Sequence, residues 1–227
     1  MIDERVLKLL EIVQHPQRSK EWFAERHNKL TSSDVDTILG NNKYSKPEEV
    51  LFKKCGLGKP FLGNEATRHG QKYETEAIKL YCERNNKKSL SFGLLPHPTI
   101  EWLAGSPDDI TEDGIVIEVK CPLRRQIIIG EIPEHYIGQI KMNMEICNLD
   151  RAVFIEYKPA VPNISEEILN IVNIERDPQW FIGVLPCLES LWNQVLHYRK
   201  NGIKNHPKYT TYLDAYIPEK CIINDES

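Results

Sequence analysis

The stretch Ile115-Val116-Ile117-Glu118-Val119-Lys120 constrains this chain more than any other. Four of its six residues are β-branched, which favours an extended strand. Glu112-Asp113-Gly114 before it is a hairpin-turn signal, and Cys121-Pro122 after it ends a strand, because proline cannot donate to a ladder. A strand ahead of the turn must fold back on this one, which brings Ser106-Pro107-Asp108 opposite Glu118. Two carboxylates at one place repel each other unless a cation sits between them. Residues i and i+2 share a face of a strand, so Glu118 and Lys120 point the same way. Val119 points into the core, and its carbonyl is a candidate neutral metal ligand.

Oxygen ligands of this kind suit Mg²⁺, with Mn²⁺ as the alternative. A lysine beside them is a point charge that holds a phosphate or polarises an attacking water. The combination points to metal-assisted phosphodiester cleavage. The competing interpretation is an exposed Glu–Lys pair on an edge strand, which Glu-x-Lys alone does not exclude. Ser-Pro-Asp, with its acid ten residues upstream of Glu118, weighs against it.

The rest of the chain supports a globular enzyme. Its 227 residues give room for one large domain. The expected layout is a single domain over 1–227, with a helical N-terminal part at 1–64, a core at 65–200 and an irregular tail at 201–227. Helical periodicity is read at 3–14, 19–27, after Ser33, 47–52, 66–84, 133–147 and 178–200, and strands at 89–95, 101–106, 115–120 and 151–157. Residues 163–175 fit a strand or a short helix. Ser33 with Asp36 three residues on resembles a capping box. Helices, a β-meander, a helix, a strand and a helix suit a mixed α/β (α+β) core with one central sheet flanked by helices.

No run approaches the ~18 apolar residues of a membrane span, and the N-terminus lacks the apolar core of a signal peptide, so an intracellular, non-secreted protein is expected. Six cysteines without a Cys-x-x-Cys pair argue for reduced thiols over a zinc knuckle. No His-Glu-x-x-His or Walker loop is present. The net charge is −4, but residues 1–126 hold 20 basic and 19 acidic side chains against 9 and 14 in 127–227. A local positive groove on an acidic protein is therefore compatible with the composition.

Asp-(x)n-Glu-x-Lys resembles the signature of the PD-(D/E)XK nuclease superfamily, with its restriction-endonuclease-like core. The wider pattern is similar to its lambda exonuclease branch, the YqaJ-type viral recombinases or alkaline exonucleases. The matching residues are Ser106-Pro107-Asp108 with Glu118-Val119-Lys120-Cys121-Pro122, Trp22 and Arg26 followed by Leu30-Thr31-Ser32-Ser33, Gly70 with Glu74, and Tyr136 with Gln139. Departures are Asn28 for a frequent glycine, Ser32 for alanine, Lys141 for a second glutamine, and Asp109 after Asp108 where glycine is usual.

The resemblance implies a 5′→3′ exonuclease on linear double-stranded DNA, working in recombination or viral DNA processing. It implies two Mg²⁺ ions on Asp108 and Glu118, with Glu74 supporting the site beside the candidate Val119 carbonyl. Lys120 would assist the attacking water and Gln139 would orient water or phosphate. Arg26, Ser33 and Thr31, with Tyr136, would hold DNA and its 5′-phosphate; an arginine fork and a helix start both suit a doubly charged anion. Toroidal trimers and a single-strand annealing partner are further implications. An endonuclease, an RNA-cleaving relative and a non-catalytic DNA-end binding module are the alternatives. Trp22 and Trp102 fit core rings better than base-stacking platforms.

Overall fold

The computed structural model describes residues 2–58 and 63–216. In chain order the elements are α1 (Glu4–Leu10), α2 (Lys20–His27), β1 (Leu30–Thr31), a 3-10 turn (Ser32–Asp34), α3 (Val35–Ile38), α4 (Pro47–Lys54) and α5 (Glu65–Arg84). There follow β2 (Ser89–Leu90), β3 (Leu95–Pro96), β4 (Leu103–Gly105), β5 (Asp109–Thr111), β6 (Ile115–Lys120), α6 (Glu134–Cys147), β7 (Arg151–Lys158), β8 (Ile168–Glu175), α7 (Pro178–Asn201), a 3-10 turn (Ile203–Asn205) and α8 (Tyr209–Tyr216).

A five-stranded sheet runs in the order β2-β5-β6-β7-β8, antiparallel except for β6 and β7. Those two strands are parallel because α6 carries the chain back across the sheet. A smaller sheet, β1-β4-β3, sits beside it. The β6 side chains divide by the pleat. Ile115, Ile117 and Val119 pack with Ala77 and Tyr81 of α5. Val116 packs on the other face with Met142, Met144 and Ile146 of α6 and Phe154 of β7. Leu188, Leu191, Trp192 and Val195 of α7 join this second cluster, as do Val50, Leu51 and Phe52 of α4. Burying aliphatic chains of this size is worth about 1.5–3 kcal/mol each. The mixed sheet between helices matches the expected fold class.

Several local expectations need correction. The first helix stops at Leu10, because the chain then runs on to lay Gln14 and His15 against Gly93. A Cβ at Gly93 would stand 2.1 Å from the His15 carbonyl oxygen, and the Gly93 amide donates to Gln14 Oε1 at 2.5 Å. That contact interrupts the strand expected at 89–95, so β2 and β3 belong to different sheets. Residues 168–175 are a full strand on β7. The tail is not irregular throughout: α8 forms, and Tyr212 stacks on Phe52 at 4.0 Å between ring centroids. Residues 217–227 lie outside the described residues. Ser33 and Asp36 do not form a capping box; Asp34 takes that place, accepting the Thr31 amide at 2.9 Å. Among the described residues, no helix is long and apolar enough to cross a membrane.

Candidate active site

The site begins at the β5–β6 hairpin. Gly114 turns it with φ +80°, and the Ile115 amide donates to Thr111 Oγ1 at 2.8 Å. Asp109 pairs with Ile117, which sets Asp108 across from Glu118. The Asp108 amide donates to the Ile117 carbonyl at 3.1 Å, and the Asp108 carboxylate accepts the Val119 amide at 2.6 Å. Asp109 does not line the cleft: it is buried and accepts the Ser89 and Ser91 hydroxyls at 2.6 and 2.8 Å.

Glu118 lies on the α6 side of the sheet and is fully buried. Its Oε1 accepts Lys120 Nζ, and Gln139 Nε2 at 2.6 Å. Its Oε2 accepts Asn143 Nδ2 at 3.2 Å. Gln139 and Asn143 are one turn apart on α6 and so share its sheet-facing side. Glu74 of α5 meets Arg18, whose Nη2 donates at 3.0 Å. Arg18, Glu74, Asp108, Val119, Lys120, Tyr136 and Gln139 line one open cleft of about 620 Å³.

The charges in this cleft are not balanced. Burial raises the pKa of Glu118 to about 8 against the pull of Lys120, and Asp108 and Glu74 add to the rise. Burial likewise raises Asp108, and burial with the Asp108 charge raises Glu74. Burial opposes the Lys120 ammonium, yet Glu118 and Asp108 keep its pKa above the ordinary range. Carboxylates held in this way favour an added cation, and an all-oxygen donor set suits a hard one. Among the described residues, no three His, Cys, Asp or Glu side chains stand gathered as ligands. Arg18 engages Glu74, and Lys120 with Gln139 engages Glu118.

A second cluster forms where α2 meets the Ser32–Asp34 turn. Arg26 Nη2 donates to Ser33 Oγ at 2.7 Å, and the Thr31 and Ser33 hydroxyls are 3.1 Å apart. Thr31 is fully buried and its hydroxyl donates to Asp34 at 2.8 Å. Lys54 is buried beneath, with Nζ 2.7 Å from the Arg26 carbonyl oxygen and 3.0 Å from Asp34. The Arg26 guanidinium lies 4.3 Å above the Trp22 ring, and the Trp22 indole donates to Ser106 Oγ at 3.2 Å. Trp22 thus joins this cluster to the Ser-Pro-Asp loop. Tyr136 lies apart from Arg26, Ser33 and Thr31: its ring is 5.2 Å from Lys120 Nζ and lines the first cleft.

The structure thus lines one cleft with Asp108, Lys120, Glu74, Gln139, Tyr136 and Val119, with Glu118 buried behind Lys120 and Gln139, and gathers Arg26, Ser33 and Thr31 around another point. Sequence reasoning missed Asn143, Arg18 and the Asp34–Lys54 pair. Asn143 had a signal: an amide on the apolar face of α6, four residues after Gln139. Arg18 had only its place in a cluster of basic residues with Lys20, Arg26 and Lys29, since it arrives from a loop with φ +69°.

The model of the YqaJ-like viral recombinase domain matches residues 21–150. A protein of Acanthamoeba polyphaga mimivirus is 32% identical over 164 residues, covering 65% of this chain and 30% of that protein. YqaJ of Bacillus subtilis is 29% identical over 127 residues, covering 53% of this chain and 40% of YqaJ. This chain therefore matches well under half the length of either relative. Among solved structures, the alkaline exonuclease of Laribacter hongkongensis superposes with a TM-score of 0.67 at 22% identity, covering 88% of this chain and all of that one. Its complex with dAMP gives a TM-score of 0.69 at the same identity and coverage. The architecture described above is the fold of these exonucleases.

Proposed function

Because the chain belongs to the YqaJ-like viral recombinase family, we propose that it is a divalent-metal-dependent deoxyribonuclease that degrades linear duplex DNA from 5′ ends. The observation that carries this is the Asp108 carboxylate fastened to β6 beside the Glu118–Lys120 pair, in a cleft open to a polymer. Two Mg²⁺ ions, or Mn²⁺, held by Asp108, Glu118, Glu74 and the Val119 carbonyl would supply Lewis-acid stabilisation and a more acidic attacking water.

The chain's own groups do the rest. Lys120, fixed by Glu118, polarises the water that attacks phosphorus as the bond to the 3′ oxygen breaks. Gln139 holds Glu118 in place and faces the cleft to orient water or phosphate. Arg26 and Ser33 receive the terminal 5′-phosphate, with the Trp22 ring under the guanidinium limiting its swing. That contact sets register from the end, which is what exonuclease action requires. The Laribacter enzyme's complex with dAMP supports a mononucleotide product. A ring of several copies around the duplex and a single-strand annealing partner are parts of the same proposal. The role is end resection in recombination or viral DNA processing.

The test uses a linear duplex labelled internally on each strand, with a 5′-phosphate or 5′-hydroxyl at one end, in Mg²⁺ or EDTA. Mononucleotides released in order from the phosphorylated 5′ end, only with Mg²⁺, support the proposal. Internal fragments would make the protein an endonuclease. End binding without turnover would make it a binding module.

A further inference from the structure

Asp36 is unused in the site as built so far. It is 3% exposed and lies in α3, three residues after Ser33. Its Oδ1 accepts the Gly138 amide at 3.1 Å and its Oδ2 accepts the Gln139 amide at 2.9 Å. A Cβ at Gly138 would stand 2.6 Å from Asp36 Oδ1, so glycine is what admits the carboxylate to this turn of α6. A buried carboxylate is costly unless donors satisfy it, and here two backbone amides do. One of those amides belongs to Gln139, whose side chain reaches Glu118 at 2.6 Å.

We propose that Asp36 is a positioning residue that sets Gln139 against Glu118. The kinetic part of this rests on the nuclease function proposed above.

The test compares Asp36→Asn, Gln139→Ala and the double variant on 5′-phosphorylated duplex with Mg²⁺. Asparagine keeps the size but turns an amide donor toward a backbone donor. The expected loss in kcat is about 10–100-fold, the range for groups that orient a site's ligands. KM stays within about twofold, since Arg26 and Ser33 are untouched. The double variant is no worse than the more damaged single one, because both act through one contact. Unchanged kcat in Asp36→Asn, or losses that multiply, would overturn the proposal. Gly138→Ala displaces the carboxylate from the other side and should give the same kcat loss, so a misfolded Asp36→Asn leaves the question decidable. The side-chain amide resonances of Gln139 in ¹⁵N-labelled protein provide a readout independent of turnover. They should move in Asp36→Asn, and unmoved signals overturn the proposal. An inactive wild-type protein would overturn the nuclease function while this spectrum still decides the role of Asp36.

Discussion

The Asp108 carboxylate accepts the Val119 amide at 2.6 Å, so the acid before the hairpin is fastened to the strand that carries Glu118 and Lys120. The acid is thereby held in place by the protein's own backbone. It also leaves three carboxyl groups with raised pKa around one cleft. That cost in stability is what the cation-binding role proposed for this cleft would offset.

Glu118 makes this measurable in the metal-free protein. Its folded pKa of about 8 lies above the unfolded value, so its contribution to stability is full at low pH and is lost as pH rises toward and through 8. With chelator present, wild-type Tm should fall between pH 5 and pH 8 more than that of Glu118→Gln. At pH 8 the variant should be the more stable, at about 2–4 °C per kcal/mol recovered. Mg²⁺ should raise wild-type Tm most at the alkaline end. Thermal scans across pH check all three.

Arg26→Ala should remove the distinction between 5′-phosphate and 5′-hydroxyl ends. A charge-assisted contact is worth about 1.5–3 kcal/mol, or roughly 10–100-fold. Steady-state rates on the two substrates read it: the phosphorylated duplex should lose that factor and the hydroxyl duplex should change little.

The Asp34–Lys54 pair lies under the Arg26–Ser33 cluster, with Lys54 7% exposed. Burial works against the Asp34 charge, but Lys54, Arg26 and the Thr31 hydrogen bonds hold its pKa below the ordinary range. Its contribution is therefore present above about pH 4 and lost as pH falls below that. Asp34→Asn leaves Lys54 buried without a counter-charge and should cost about 3–5 kcal/mol at neutral pH. Adding Lys54→Met should restore most of it. Urea titrations of the single and double variants give both numbers.

Gly105→Ala probes the amide behind Glu118. The new Cβ would stand 2.5 Å from Asn143 Oδ1 and 3.0 Å from Ile146 Cδ1. Overpacking of this kind costs about 1–3 kcal/mol, and it should slow cleavage by shifting Asn143 off Glu118. Denaturation with a parallel rate assay separates the two effects.

The hairpin and its acids were legible in sequence because the physics there is local. A β-branched run, a turn with glycine and a period of two place Asp108, Glu118 and Lys120 with no tertiary knowledge. Long helices such as α5 and α7 were legible for the same reason. What failed depends on contacts between distant segments. The end of α1 and the break between β2 and β3 follow from Gln14 and His15 meeting Gly93. Asp36 looked like a cap partner for Ser33, but α6 packs over it, a contact made across about a hundred residues.

The most direct test is the rate of mononucleotide release from a 5′-phosphorylated linear duplex in Mg²⁺, for wild type and Asp108→Asn. Asparagine can still accept the Val119 amide, so the hairpin should hold and Tm should stay close to wild type. Wild type should release 5′-mononucleotides, and the variant should be slower by about 10²–10³-fold or more. An Asp108→Asn protein that cleaves at the wild-type rate, or a wild type that releases nothing, would contradict the assignment of this cleft as the catalytic centre.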